Sequence, residues 1–117
     1  MRSIFITTEF HATHSWPECP IEEVKFLQHE HRHTFKVKVS LEVLGTDREV
    51  EFFVFKDLVD EIIEKEYGPG LKKLGRMSCE MICDMLLDKI QASGFSNRRV
   101  SVEVSEDGEV GAKVGYL

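Results

Sequence analysis

Strict alternation marks residues 34–43, where Phe35, Val37, Val39, Leu41 and Val43 interleave with Thr34, Lys36, Lys38, Ser40 and Glu42. A pleated strand points successive side chains to opposite faces, so this stretch predicts an antiparallel strand with one face buried. A shorter run at 2–10 places Ile4, Ile6 and Phe10 on one parity and predicts a second strand. A loop over residues 12–28 follows, holding Trp16, Pro17 and Pro20. Gly45-Thr46-Asp47 is a turn signal, after which REVEFFVF can continue the sheet. From Lys56 the period becomes helical: Leu58, Val59, Ile62, Ile63 and Tyr67 form a stripe that stops at Gly68-Pro69-Gly70. Ser78 suits the N-cap of a second helix, whose apolar face is Met81, Ile82, Met85, Leu86 and Ile90 and which Gly94 ends. Val100, Val102 and Val104, a turn at Asp107-Gly108, and Val110, Ala112, Val114 and Tyr116 predict a closing hairpin.

The element order is ββααββ, an α+β fold in which an antiparallel sheet carries two helices on one face. Residues 1–117 form a single domain, long enough to bury one core without staples. The connection at 68–77 is longer than helix neighbours usually need and leaves room for a functional loop.

Composition narrows the function classes. Fifteen basic and 21 acidic residues give a formal charge of −6. That charge disfavours nucleic-acid backbones and anionic membranes as partners. Cys19, Cys79 and Cys83 are odd in number and lack CxxC spacing, so a disulfide framework is not expected and a reducing, cytoplasmic setting is. Cys79 and Cys83 share a helix face at a spacing that suits buried small residues. No signal-peptide core or membrane span is expected from the apolar runs.

The histidines change the picture most. All five, His11, His14, His29, His31 and His33, fall within residues 11–33. Side chains at i and i+2 of a strand share a face, so His31 and His33 point the same way at the mouth of the alternating strand. If the first strand is its neighbour, His14 arrives at the same end. Three imidazoles with a free coordination position make the donor set of catalytic rather than structural zinc. His11 and His29 are candidates for helper roles, since an imidazole titrates near neutral pH; an exposed polar loop is the bland alternative for each.

Four segments carry a family resemblance. FHATH (10–14) resembles F-x-A-x-H, HRHTFKVKV (31–39) resembles H-G-H-N-Y/F-x-V-x-V, MSCEM (77–81) is similar to P-T-x-E, and VEVSED (102–107) to V-x-V-x-E. These are motifs of the 6-pyruvoyl-tetrahydropterin synthase and 6-carboxytetrahydropterin synthase family of T-fold proteins, and they span nearly the whole chain in order. The resemblance implies Zn2+ held by His14, His31 and His33, and a pterin or purine-like ligand held by Glu106 and Glu80. A carboxylate, Glu106 being the candidate, can take two parallel N–H bonds from the edge of such a ring, and zinc can act on the ligand's side-chain oxygens as a Lewis acid. An exposed turn glutamate and an acid meeting a helix dipole are the structural alternatives for Glu106 and Glu80. The resemblance also implies a homo-oligomer, a trimer or hexamer of joined sheets, in which Glu106 can serve a neighbouring chain's pocket.

The chain departs from the family where its acid–base groups belong. Leu27 stands at the position of the catalytic cysteine, and Cys19 is out of register with it. Arg32 replaces the glycine and Thr34 the asparagine, and EYGPGLKKLGRMS lacks the D-H pair. The candidate replacements are Glu30, a glutamate as some members of the wider family use, and His29, with His11, Glu22 and Glu23 further off. The leading expectation is a divergent zinc-dependent lyase acting on a dihydroneopterin-triphosphate-like substrate or another pterin or 7-deazaguanine precursor. A T-fold protein that binds such a ligand without turning it over is the alternative, and zinc-dependent hydrolysis of a purine-like substrate a third.

Overall fold

Two long strands organise the chain. In the computed structural model, which describes residues 1–116, β1 runs Arg2–His14 and β2 runs His31–Val43. They pair antiparallel along their whole length, from Arg2 opposite Val43 to His14 opposite His31. Helix α1 spans Phe52–Tyr67, β3 Lys72–Lys73, α2 Cys79–Ile90, β4 Val100–Glu106 and β5 Val110–Gly115. The sheet order is β3-β1-β2-β4-β5, antiparallel except for the short parallel pairing of β3 with β1.

The predicted ββααββ order holds, with β3 added between the helices. Inward residues of β1, β2 and β4 (Ile6, Phe10, Val37, Val39, Leu41, Val102 and Val104 among them) meet Phe55, Val59 and Ile63 of α1 and Ile82, Cys83, Leu86 and Ile90 of α2. Full burial of each such aliphatic side chain contributes on the order of 1.5–3 kcal/mol. Met81, expected on the buried face of α2, is 51% exposed, while Cys79 and Cys83 are buried as their spacing predicts. Helical spacing fits either stripe, and the small thiols let α2 lie closer to the hairpin.

Two boundaries differ from the sequence reading. β1 continues to His14, because Phe10, Ala12 and His14 keep the inward parity and are all buried. REVEFFVF does not extend the sheet. Glu51 caps α1, its carboxylate accepting from Phe53 N at 3.0 Å and Val54 N at 3.2 Å, and Phe52, Phe53 and Val54 form an exposed first turn. An Ncap carboxylate satisfies amides that otherwise lack a partner, so one side chain outweighs a short apolar run. Ser78 caps α2 as expected, accepting from Met81 N at 3.2 Å.

The 68–78 connection is tied down rather than loose. Lys72 is 2% exposed, and its ammonium donates to Glu64 Oε1 at 3.1 Å, Gly68 O at 2.6 Å and Gly70 O at 3.3 Å. Three donors meet three acceptors, which offsets the burial of the charge. From there Leu74 N donates to Thr13 O at 2.9 Å and Ser15 N to Gly75 O at 2.8 Å, carrying residues 74–78 along the end of β1. Among the described residues, no helix is long and apolar enough to cross a membrane.

Replacing Lys72 with Met keeps the aliphatic volume but strands the Gly68 and Gly70 carbonyls. Lys72→Met is expected to lower unfolding stability by roughly 1.5–3 kcal/mol, read by urea denaturation. An unchanged midpoint and slope would show that the ammonium does not hold this connection.

Candidate metal centre

The register of β1 against β2 assembles the site. His14 and His31 are directly opposed, and His33 lies two residues along β2 on the same face. The rings approach edge to face: centroids are 4.5 Å apart for His14 and His31, 5.4 Å for His14 and His33, and 5.0 Å for His31 and His33. Phe35 forms the floor, with its ring 5.1 Å from that of His14 and 5.8 Å from that of His33. β4 pairs with β2 so that Glu106 stands opposite Phe35 and adds a carboxylate. His14, His31, His33 and Glu106 each offer a donor atom within 4.8 Å of the others, and they are the group of this kind among the described residues.

Hydrogen bonds fix which nitrogen each ring presents. His14 Nδ1 lies 2.8 Å from Met77 O, His31 Nδ1 2.8 Å from His29 O, and His33 Nδ1 2.7 Å from Asp107 Oδ2. Carbonyl and carboxylate oxygens only accept, so each Nδ1 donates and each neutral ring leaves its Nε2 lone pair free. The Nε2 atoms of His14 and His31 are buried with no hydrogen-bond partner. His14 Nε2 is 3.0 Å from Glu106 Oε2 without the alignment of a hydrogen bond, and His33 Nε2 is 3.6 Å from Glu106 Oε1. Buried lone pairs without donors are costly. Two such lone pairs and that of His33, beside a carboxylate and each backed by an oxygen on the far nitrogen, match a metal-binding set with its outer hydrogen bonds in place. Zinc fits such nitrogen and oxygen donors.

The cluster borders a cavity of about 450 Å³, within the range of small-molecule sites. Trp16, Leu27, Met77, Met81 and Val110 supply its apolar wall, and Glu80, Glu106 and Arg76 its charges. Arg76 pairs with Glu18 at the mouth. A larger depression of about 930 Å³ lies over the outer sheet face, where Lys36, Lys38, Glu9 and Glu103 mix both signs of charge. It gathers no comparable donor set.

The predicted site residues separate here. His14, His31, His33 and Glu106 come together, and Glu80 reaches the same cavity from the first turn of α2. Glu106 sits among its own chain's histidines. Leu27 lines the cavity, while Glu30 and His29 are exposed and do not line it. His29 takes part through its carbonyl alone. His11 lies on the outer face, its Nδ1 3.0 Å from Thr34 Oγ1. The contacts of Met77 O and Asp107 leave little mark on the sequence, a turn aspartate next to Glu106 being the one visible signal.

Cys79 also lines the cavity, and burial pushes its thiol up to about 12, with the Glu106 charge adding to the effect. Burial likewise pushes Cys83 up to about 11. Both shifts favour the neutral thiol in the fold. The stability they contribute is fully present below the ordinary thiol value of 9.0 and is lost as pH rises from there toward 11 and 12. Alkaline titration of unfolding stability is expected to fall over this window and to flatten in Cys83→Ala, compared at matched reference stability. A slope unchanged by that substitution would count against the assignment.

No protein-family model matches the sequence, and no curated protein matches it. Solved structures do match the fold. The 6-pyruvoyl tetrahydropterin synthase of Caenorhabditis elegans aligns with 99% of this chain and 96% of its own, at TM-score 0.67 and 15% identity. An uncharacterized protein of Wolinella succinogenes aligns over 99% and 98%, at TM-score 0.69 and 17% identity. The 6-pyruvoyl tetrahydropterin synthase of Plasmodium vivax aligns over 99% of both chains, at TM-score 0.62 and 13% identity. Two variants of the Plasmodium vivax enzyme replace a glutamate described as a catalytic residue. The chain has the T-fold of these structures.

Proposed function

We propose that this T-fold protein holds a zinc ion through His14, His31 and His33 and acts as a divergent lyase on a pterin or a related 7-deazaguanine precursor, dihydroneopterin triphosphate being the first substrate to test. The convergence of three outward-backed imidazoles, two of which line an apolar cavity together with two carboxylates, carries this reading. Zinc, when bound, supplies Lewis-acid polarisation of ligand oxygens.

The chain's own groups account for recognition. Of the two carboxylates on the cavity wall, Glu80 is the one away from the histidines and takes the role of accepting the paired N–H edge of a pterin or guanine ring. Glu106 acts at the other end, between His14 and His33, where a ligand's polar side chain and the donor cluster meet. Trp16, Leu27 and Met77 exclude water from the ring faces. Proton abstraction falls to Glu30 or His29. The glutamate described as catalytic in the Plasmodium vivax enzyme supports Glu30, which must approach the cavity by movement of residues 22–30 or from a neighbouring subunit.

A second reading, binding without turnover, draws on one observation. Leu27 occupies the cavity wall where the family's cysteine is expected, and it has no proton to exchange. Either function suits a homo-oligomer, since β3 covers only Ala12 and Thr13 of β1's outer edge and β5 is an edge strand. Edges of this kind are usually paired or covered.

Metal analysis of wild type and His31→Ala is expected to find zinc at one ion per chain in the first and its loss in the second. Incubation of zinc-loaded protein with dihydroneopterin triphosphate and Mg2+ then separates the readings. A new pterin spectrum supports the lyase; tight binding with an unchanged spectrum supports the binder; neither metal retention nor binding overturns both. Light scattering is expected to return a trimer or hexamer, and a monomer would count against the shared-edge assembly.

A further inference from the structure

The hairpin turn that follows Glu106 is built around one side chain. Asp107 has φ +59 and Gly108 φ +77, a left-handed pair that aspartate and glycine tolerate. Asp107 N donates to Thr34 O at 2.8 Å, and Thr34 N donates back to Asp107 Oδ1 at 2.9 Å. Its other oxygen, Oδ2, takes the His33 Nδ1 proton at 2.7 Å. The turn is thus latched to β2 beside a proposed metal ligand, and both carboxylate oxygens are in use.

We propose that Asp107 is a positioning residue of the metal centre, holding His33 in the tautomer whose Nε2 lone pair faces His14, His31 and Glu106. This rests on the metal-binding reading above but concerns a group that touches neither metal nor ligand. The other two rings take their orientation from main-chain carbonyls, Met77 O and His29 O, which no substitution removes. His33 alone depends on a side chain. A carboxylate accepts at both oxygens at once, from the Thr34 amide and from His33. An asparagine has one acceptor for these two donors: pairing it with Thr34 turns an N–H toward Nδ1, which forces the proton to Nε2 and removes the donor lone pair. Free neutral imidazole also favours the Nε2–H form, so deletion of the carboxylate releases the ring to the wrong tautomer.

The test compares wild type, Asp107→Asn and Asp107→Gly, since both replacements tolerate a positive φ. The first readout is the histidine 15N chemical shifts of the metal-free proteins, at a pH where the rings are neutral. Wild type is expected to show the Nδ1–H form for His14, His31 and His33. In Asp107→Gly, His33 alone is expected to move to the Nε2–H form, with His14 and His31 as internal controls. The second readout is zinc affinity by competition with a chromogenic chelator, expected to fall about 10–100-fold in both variants, as for loss of other outer-sphere partners of metal-binding histidines.

An Nε2–H form of His33 in wild type overturns the proposal, and so does retention of the Nδ1–H form in both variants. Zinc affinity within about twofold of wild type in both variants, against the outer-sphere expectation, overturns it as well. A hairpin that unfolds in either variant leaves the wild-type tautomer to decide. Failure of wild type to bind zinc sinks the metal reading, while the tautomer measurement still decides the role of Asp107.

Discussion

The register of β1 on β2 is the constraint on which the molecule depends. Thirteen residues of each strand pair without a bulge, and the same inward parity serves the core at one end and the donor cluster at the other. A slip of β1 by one residue would turn Ile6 and Phe10 to solvent along with His14, and leave His31 and His33 without it. The burial of the aliphatic face therefore fixes where the imidazoles meet. Phe35 joins the two regions, since it is fully buried in the core and its ring carries the edges of His14 and His33.

The connections complete what the strands begin. Lys72 gathers the carbonyls of the Gly68–Gly70 turn, β3 adds two residues beside Ala12 and Thr13, and the chain then passes Met77 O over His14. The 3-10 segment Glu22–Gln28 leads into His29, whose carbonyl holds His31. The β4–β5 turn brings Asp107 to His33. Each imidazole thus takes its position from the sheet and its orientation from a connection, and the cavity lies where these pieces close over the sheet end.

Much of this was legible in the sequence because it follows from periodicity. The alternation of Phe35 through Val43 located β2, Ser78 and the α2 stripe located the second helix, and the valines around Asp107-Gly108 located the hairpin. The i, i+2 spacing of His31 and His33 placed them on one face before any partner was known. The end of β1 was missed because Ala12 and His14 do not read as core residues until the loop above them is in place. The start of α1 was missed because FFVF is apolar on every side, and only the Glu51 cap decides its conformation. Hydrogen bonds from main-chain carbonyls leave no mark on residue type, so Met77 O and His29 O had no signal at all. The placement of Glu106 inside the donor group depends on the pairing of β4 with β2, a long-range contact that spacing along the chain does not encode.

The three outer hydrogen bonds have a mechanical consequence. Met77, His29 and Asp107 belong to three surface connections far apart in sequence, each tied to the centre by one imidazole. Loosening any one connection frees the ring it holds, and drawing the three Nε2 atoms together pulls all three connections inward. An ion seated there would act as a knot at the open end of the sheet, and its binding energy would appear as shared rigidity in segments that do not touch it. The walls of the cavity, Trp16, Leu27 and Met81, sit on or beside two of those segments. The shape offered to a ligand would therefore be set by how firmly the knot is tied.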